Sequence, residues 1–177
     1  MKNSKLIAIV CLLSLFFVSC EKEPKLEWKD YFGFTNEEIV GTYVYSNVSN
    51  AFDEVEGTGR HACADAKISI RASQNNPNWV EFSVNCPDEN FSKTFEGLST
   101  PNEGDYMIHM SSGYDHSGGK IRAYNVTAYV LKNENQVLRL HGFAARNTYE
   151  EVTNEETGLT TIIQTDGEYY YFDVIKN

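Results

Sequence analysis

KIRAYNVTAYVLK (120–132), the break NENQ (133–136) and VLRLHGFAARNTY (137–149) decide the fold class. In the first stretch Ile121, Ala123, Asn125, Thr127, Tyr129 and Leu131 alternate with Arg122, Tyr124, Val126, Ala128 and Val130. A period of two places these sets on opposite faces of an extended strand. Valine, threonine and tyrosine also favour a pleated, half-buried surface. Neither face is cleanly polar, so both are expected to meet other groups.

The same signal recurs on either side. GTYVYSNV (41–48), CADAKISIRAS (63–73), WVEFSVNC (79–86), FSKTFEG (91–97) and YMIHMSS (106–112) read as strands separated by turn-rich breaks. At the C-terminus TGLTTIIQT (157–165) and EYYYFDVI (168–175) flank Asp166-Gly167, a dipeptide that favours a tight hairpin. Thr35-Asn36-Glu37-Glu38 has the spacing of a capping box, with room for one helical turn before Gly41. No longer helical pattern and no internal repeat stands out. The fold class expected is all-β: a single antiparallel meander barrel of eight or nine strands, with a β-sandwich as the alternative.

The helical turn followed by Gly41-Thr42-Tyr43 resembles the start of the lipocalin-like (calycin) barrels, whose first strand carries Gly-x-Trp; here Tyr43 stands in place of the tryptophan. Strand number, length and meander agree with that resemblance. It implies a small hydrophobic or amphipathic molecule held in the barrel. The mixed faces of the long strands make Tyr43, Arg122, Tyr124, Arg139 and Phe143 the candidate lining residues. The competing reading is that these side chains fill the centre.

The N-terminus is of another kind. Lys2 and Lys5 precede an apolar run from Leu6 to Val18, and Glu21, Lys22 and Glu23 end it. That order is the order of an export signal, and the run is shorter than the roughly 20 residues that span a bilayer. Phe17-Val18-Ser19-Cys20 resembles the lipobox of bacterial lipoproteins, which implies cleavage before Cys20 and acylation of its thiol. Charged residues directly behind the cysteine also look like those of Bacteroides-type outer-membrane lipoproteins, some of which face outward. The expected organisation is a signal peptide (1–19), a lipidated cysteine with a charged tether (20–32) and a β-domain (33–177). The membrane is then a partner through the lipid anchor, in the cell envelope. Loss of Lys2 and Lys5 takes the formal charge from −10 to −12.

That surplus of acid argues against nucleic acid, which rewards clustered Lys and Arg. Export also changes the cysteine arithmetic. Cys11 leaves with the signal and Cys20 is acylated, so Cys63 and Cys86 remain as an expected disulfide. The alternative that these two, with His61, hold a metal lacks a fourth ligand. His109, Asp115 and His116 surround a glycine-rich turn and read as polar surface. SSGYDHSGGK (111–120) lacks the Gly-x4-Gly-Lys-Ser/Thr spacing of a phosphate loop, and no Gly-x-Ser-x-Gly elbow occurs. Matches to the glycan sequon at Asn47, Asn90 and Asn125 read as chance in such a lipoprotein. No catalytic residue, cofactor or metal is expected. Tyr169, Tyr170 and Tyr171 supply a rival to the ligand-binding reading, because alternation turns at least one ring outward. Exposed tyrosines suit recognition of another envelope protein.

Overall fold

The long alternating stretches form the backbone of one mainly antiparallel sheet. A computed structural model describes residues 27–45, 58–98, 106–116 and 120–177. Residues 1–19, expected to form a signal peptide, Cys20 and the Asn47 sequon lie outside the described residues. In chain order the elements are β1 (Trp28–Asp30), α1 (Asn36–Ile39), β2 (Gly41–Tyr45), β3 (Arg60–Ala62), β4 (Lys67–Ala72) and β5 (Val80–Cys86). They continue with β6 (Phe91–Gly97), β7 (Met107–Ser111), β8 (Ile121–Asn133), β9 (Leu138–Thr153) and β10 (Thr160–Lys176).

The sheet runs β1-β8-β9-β10-β2-β4-β5-β6, with β7 on β8 beside β1, and β3 parallel to β10 beside β2. Sequence neighbours are therefore spatial neighbours from β4 to β6 and from β7 to β10, as a meander requires. The N- and C-terminal parts join where Tyr43–Tyr45 pair with Val174–Lys176. The sheet has ten strands and is not closed: no register joins β6 to β7 among the described residues. Side chains cross this gap instead, as at Lys93 of β6, whose ammonium lies 4.0 Å from the centre of the Tyr124 ring of β8.

Two expectations change. Residues 28–30 were assigned to the tether, yet they pair with Leu131–Asn133. The chain thus enters the sheet before residue 33. Asp166-Gly167 is not a hairpin turn either. β9 continues to Thr153, long enough to pair with Thr160–Ile163, so the C-terminal stretch is one strand with a bulge between Gln164 and Asp166. The turn lies at 154–159, where Gly158 has φ +67° and donates its N–H to the Asn154 carbonyl at 2.8 Å.

The first helical turn is capped as expected. Thr35 Oγ1 accepts from the Glu38 N–H at 3.3 Å, and Glu38 accepts from the Thr35 N–H at 2.8 Å. The Tyr31 hydroxyl, then the Thr35 N–H, hold the Glu38 carboxyl below its ordinary range. Ile39 from this turn and Tyr43 from β2 are fully buried, and the Tyr43 hydroxyl donates to the Ile39 carbonyl at 2.7 Å. Burial raises the Tyr43 hydroxyl far above its ordinary value, so it stays protonated and keeps that bond.

One continuous core lies on the inner face. It joins Ile68, Ile70, Phe82, Val84, Phe91 and Phe95 to Ile108, Met110, Val126, Val130, Leu140, Tyr170, Phe172 and Val174. Gly142 sits between Ala128 and Phe172 in the ladder, and a Cβ there would run into the Thr127 carbonyl. The missing side chain lets β8 and β9 approach closely and leaves room for the Phe172 ring. Cys63 and Cys86 form the expected disulfide, with Cα atoms 5.5 Å apart. It ties the entry of β4 to the end of β5, and both thiols are thereby removed from any metal site.

Candidate functional site

The sheet has two unlike outer faces. On β4–β6 the outward positions are Lys67, Ser69, Arg71, Glu81, Ser83, Asn85, Ser92, Thr94 and Glu96, the polar set that an antiparallel sheet presents to water. Ser83 and Thr94 even share a hydroxyl hydrogen bond of 2.8 Å. The outward positions of β8–β10 include Tyr129, Phe143, Tyr149, Tyr169 and Tyr171, set among small and polar residues. Register aligns Thr127, Phe143 and Tyr171 across three strands, with Asn125, Ala145 and Tyr169 in the next row. Phe143 lies with its ring centre 5.7 Å from Tyr169 and 5.7 Å from Tyr171. Below them Ala145 is fully buried and Thr127 nearly so. Tyr129 continues the face toward Tyr106, which in turn meets Phe32, at centroid separations of 5.6 and 5.0 Å. Phe32 is 53% exposed.

One charged cluster is set into this face. Asp173 is 2% exposed and accepts from Arg139 Nε at 2.6 Å and from Arg139 Nη2, while His141 Nδ1 stands 3.3 Å away. The Arg139 guanidinium is 5.4 Å from the centre of the Trp28 ring. β1 thus covers a buried ion pair, which explains why a short N-terminal strand docks there.

The candidate lining residues divide by phase. Tyr43, Arg122 and Tyr124 are on the inward set, whereas Arg139 and Phe143 are outward, because Leu140, Gly142 and Ala144 take the inward positions of β9. The five therefore do not form one site. Tyr124 instead meets inward-facing partners that the sequence reading did not single out. Arg146 is its ladder neighbour and pairs with Glu168, and the Tyr170 hydroxyl stands 3.3 Å from the same carboxylate. Desolvation, the largest single effect, lowers the Arg146 value, but the Glu168 hydrogen bond together with the charges of Tyr170, Glu168 and Tyr124 makes the net shift upward. Burial, chiefly, raises the Tyr170 hydroxyl. Tyr170 also stacks between Phe91 and His61, at 4.0 and 5.0 Å, and His61 pairs with Glu89 at 2.9 Å. Arg146 and Glu168 are spaced 22 residues apart, so only the register of the β9–β10 pair could have revealed them.

Beyond Tyr149 the β9–β10 pair leaves the sheet as a two-stranded arm. Its residues from 150 to 166 are all exposed. Val152, Leu159, Ile162 and Ile163 are 43%, 67%, 42% and 46% exposed, respectively. At the base of the arm Tyr114 packs edge-on against Tyr149 at 5.3 Å. A depression of about 410 Å³ lies beside it, lined by His116, Lys120, Ile121, Tyr149, Glu150 and Glu151. His109 and His116 are engaged separately: His109 Nδ1 is 3.0 Å from Thr127 Oγ1, and His116 lines this depression. No cluster of three or more metal-ligating side chains occurs among the described residues. Among them, too, no helix is long and apolar enough to cross a membrane.

Comparison with known proteins gave no match: no family model, curated protein or solved structure aligns with this chain. Function is therefore argued from the site alone.

Proposed function

We propose that this chain is a lipid-anchored module of a bacterial outer membrane that binds another envelope protein through the aromatic outer face of β7–β10. The observation that carries the reading is the contrast between the two outer faces. One sheet presents serine, threonine and charge on β4–β6, and Phe143, Tyr169, Tyr171 and Tyr129 on β7–β10. Clustered aromatic rings at a surface are characteristic of recognition patches, where a few of them carry most of the binding energy. The lipobox-like Phe17–Cys20 and the charged residues behind it support an anchor that presents this face at the membrane. In this reading the sheet is a lipocalin-like barrel with one unpaired seam, between β6 and β7, and its interior serves packing.

A second reading has an observation of its own. Lys93, Arg122, Tyr124 and Arg146 share the inward phase near that seam, which suits the acidic head of a small amphipathic ligand. Native mass spectrometry and chemical cross-linking of protein extracted from its own membrane separate the two. Face recognition predicts a protein adduct that is lost in the double variant Phe143→Ala, Tyr171→Ala. A retained amphipathic molecule, with protein adducts unaffected by that variant, refutes it in favour of ligand binding.

A further inference from the structure

We propose that the free edge of β9 in the arm accepts an extended, basic segment of a partner protein as an added strand. β8 begins at Ile121, which pairs with Tyr149, so β9 has no neighbour on that side from Glu150 to Thr153 among the described residues. On an edge strand every second residue turns its N–H and C=O outward, and these groups are a template for another strand. The depression of about 410 Å³ lies against this edge and gives a segment room to enter. A two-stranded ribbon is marginal in water, whereas three strands are not. An incoming strand would therefore also order the arm and flank Val152.

Charge selects the occupant. No lysine or arginine occurs between Arg146 and Lys176, and the arm carries Glu150, Glu151, Glu155, Glu156 and Asp166. In the ladder Glu150 lies opposite Ile163 and Glu151 opposite Ile162, so each face of the arm offers one carboxylate beside one isoleucine. A second copy would set the same acids against each other, and like charges across a ladder are destabilising. A segment alternating Lys or Arg with β-branched residues sets its cations on one face, beside Glu150 or Glu151, and its apolar side chains on the other. Lys120 and His116 also line the depression, so the preferred contacts of a basic segment lie along β9 at Glu150 and Glu151. This surface is separate from the aromatic face, and the two proposals can fail independently.

The test uses the full lipidated chain in detergent micelles. The probes are three labelled peptides of about ten residues: alternating Lys and Val, alternating Glu and Val, and the Lys/Val peptide with alternate amides N-methylated. Fluorescence anisotropy reports binding. The proposal expects the Lys/Val peptide to bind and the Glu/Val peptide not to bind. N-methylation, Thr153→Pro, or the pair Glu150→Gln, Glu151→Gln should each weaken affinity about ten-fold or more. Phe143→Ala, Tyr171→Ala should leave it unchanged. Equal binding of the N-methylated peptide would reduce the interaction to charge alone and overturn strand addition. Absence of Lys/Val binding, or self-association of the chain that Thr153→Pro abolishes, would overturn the proposed occupant.

Discussion

Truncation of Phe172 separates a packed interior from one that holds a ligand. Phe172 is 1% exposed, faces Gly142 across the ladder and has its ring 6.5 Å from that of Phe82. With neighbours on every side, Phe172→Ala removes transfer free energy and leaves a cavity, at a cost of about 3–5 kcal/mol. A chain of this size loses about 2–4 °C in Tm per kcal/mol, so 4 kcal/mol corresponds to a drop of about 8–16 °C. Urea unfolding of the disulfide-intact protein, followed by tyrosine fluorescence and far-UV circular dichroism, measures the loss directly. If Phe172 lined a space reserved for a ligand, its ring would have few partners and truncation would cost far less. A loss below about 1.5 kcal/mol, with an unchanged m-value, would refute the packed interior.

Other expected outcomes follow from the same contacts. Replacing Cys63 and Cys86 together by alanine should lower stability by about 3 kcal/mol, and reduction of the native protein should reproduce that loss in urea unfolding. Arg139→Ala removes the bidentate partner of the buried Asp173 carboxylate and should cost about 3–5 kcal/mol; adding Asp173→Leu should recover much of it in a double-mutant cycle. Because the folded state lowers the Glu38 value, its contribution is full above the unfolded carboxylate value and disappears as pH falls through the lower folded one. Tyr31→Phe removes the largest cause, so the NMR titration of Glu38 should move up toward the ordinary value.

Much of the sheet was legible because its inner face is regular. Val80, Phe82, Val84 and Cys86 alternate with polar residues, and the expected strand 79–86 is observed as Val80–Cys86. The capping box, too, is written in adjacent residues. What could not be read depends on partners distant in the chain. β1 is three residues long and exists because β8 offers Leu131–Asn133 as an edge. Asp166-Gly167 carries the local signal of a turn, but the pairing of β10 with β9 on both sides of it overrides that signal. The phase of the candidate lining residues was ambiguous because both faces of β8 and β9 mix aromatic, small and polar groups. A sharper clue was present in the small residues Ala128, Gly142 and Ala144, which share one phase and leave space for large rings from β10. That complementarity puts Phe143 and Arg139 outside, and with them the aromatic face itself.

The most direct test of recognition through that face is site-specific photocross-linking in cells producing the full chain. A photoreactive phenylalanine replaces Tyr169 on the aromatic face in one variant and Arg71 on the polar outer face of β4 in another. Recognition through β7–β10 predicts a discrete protein adduct from position 169, none from position 71, and its loss when Phe143→Ala is added. Equal adducts from both positions, or none from position 169, would contradict it.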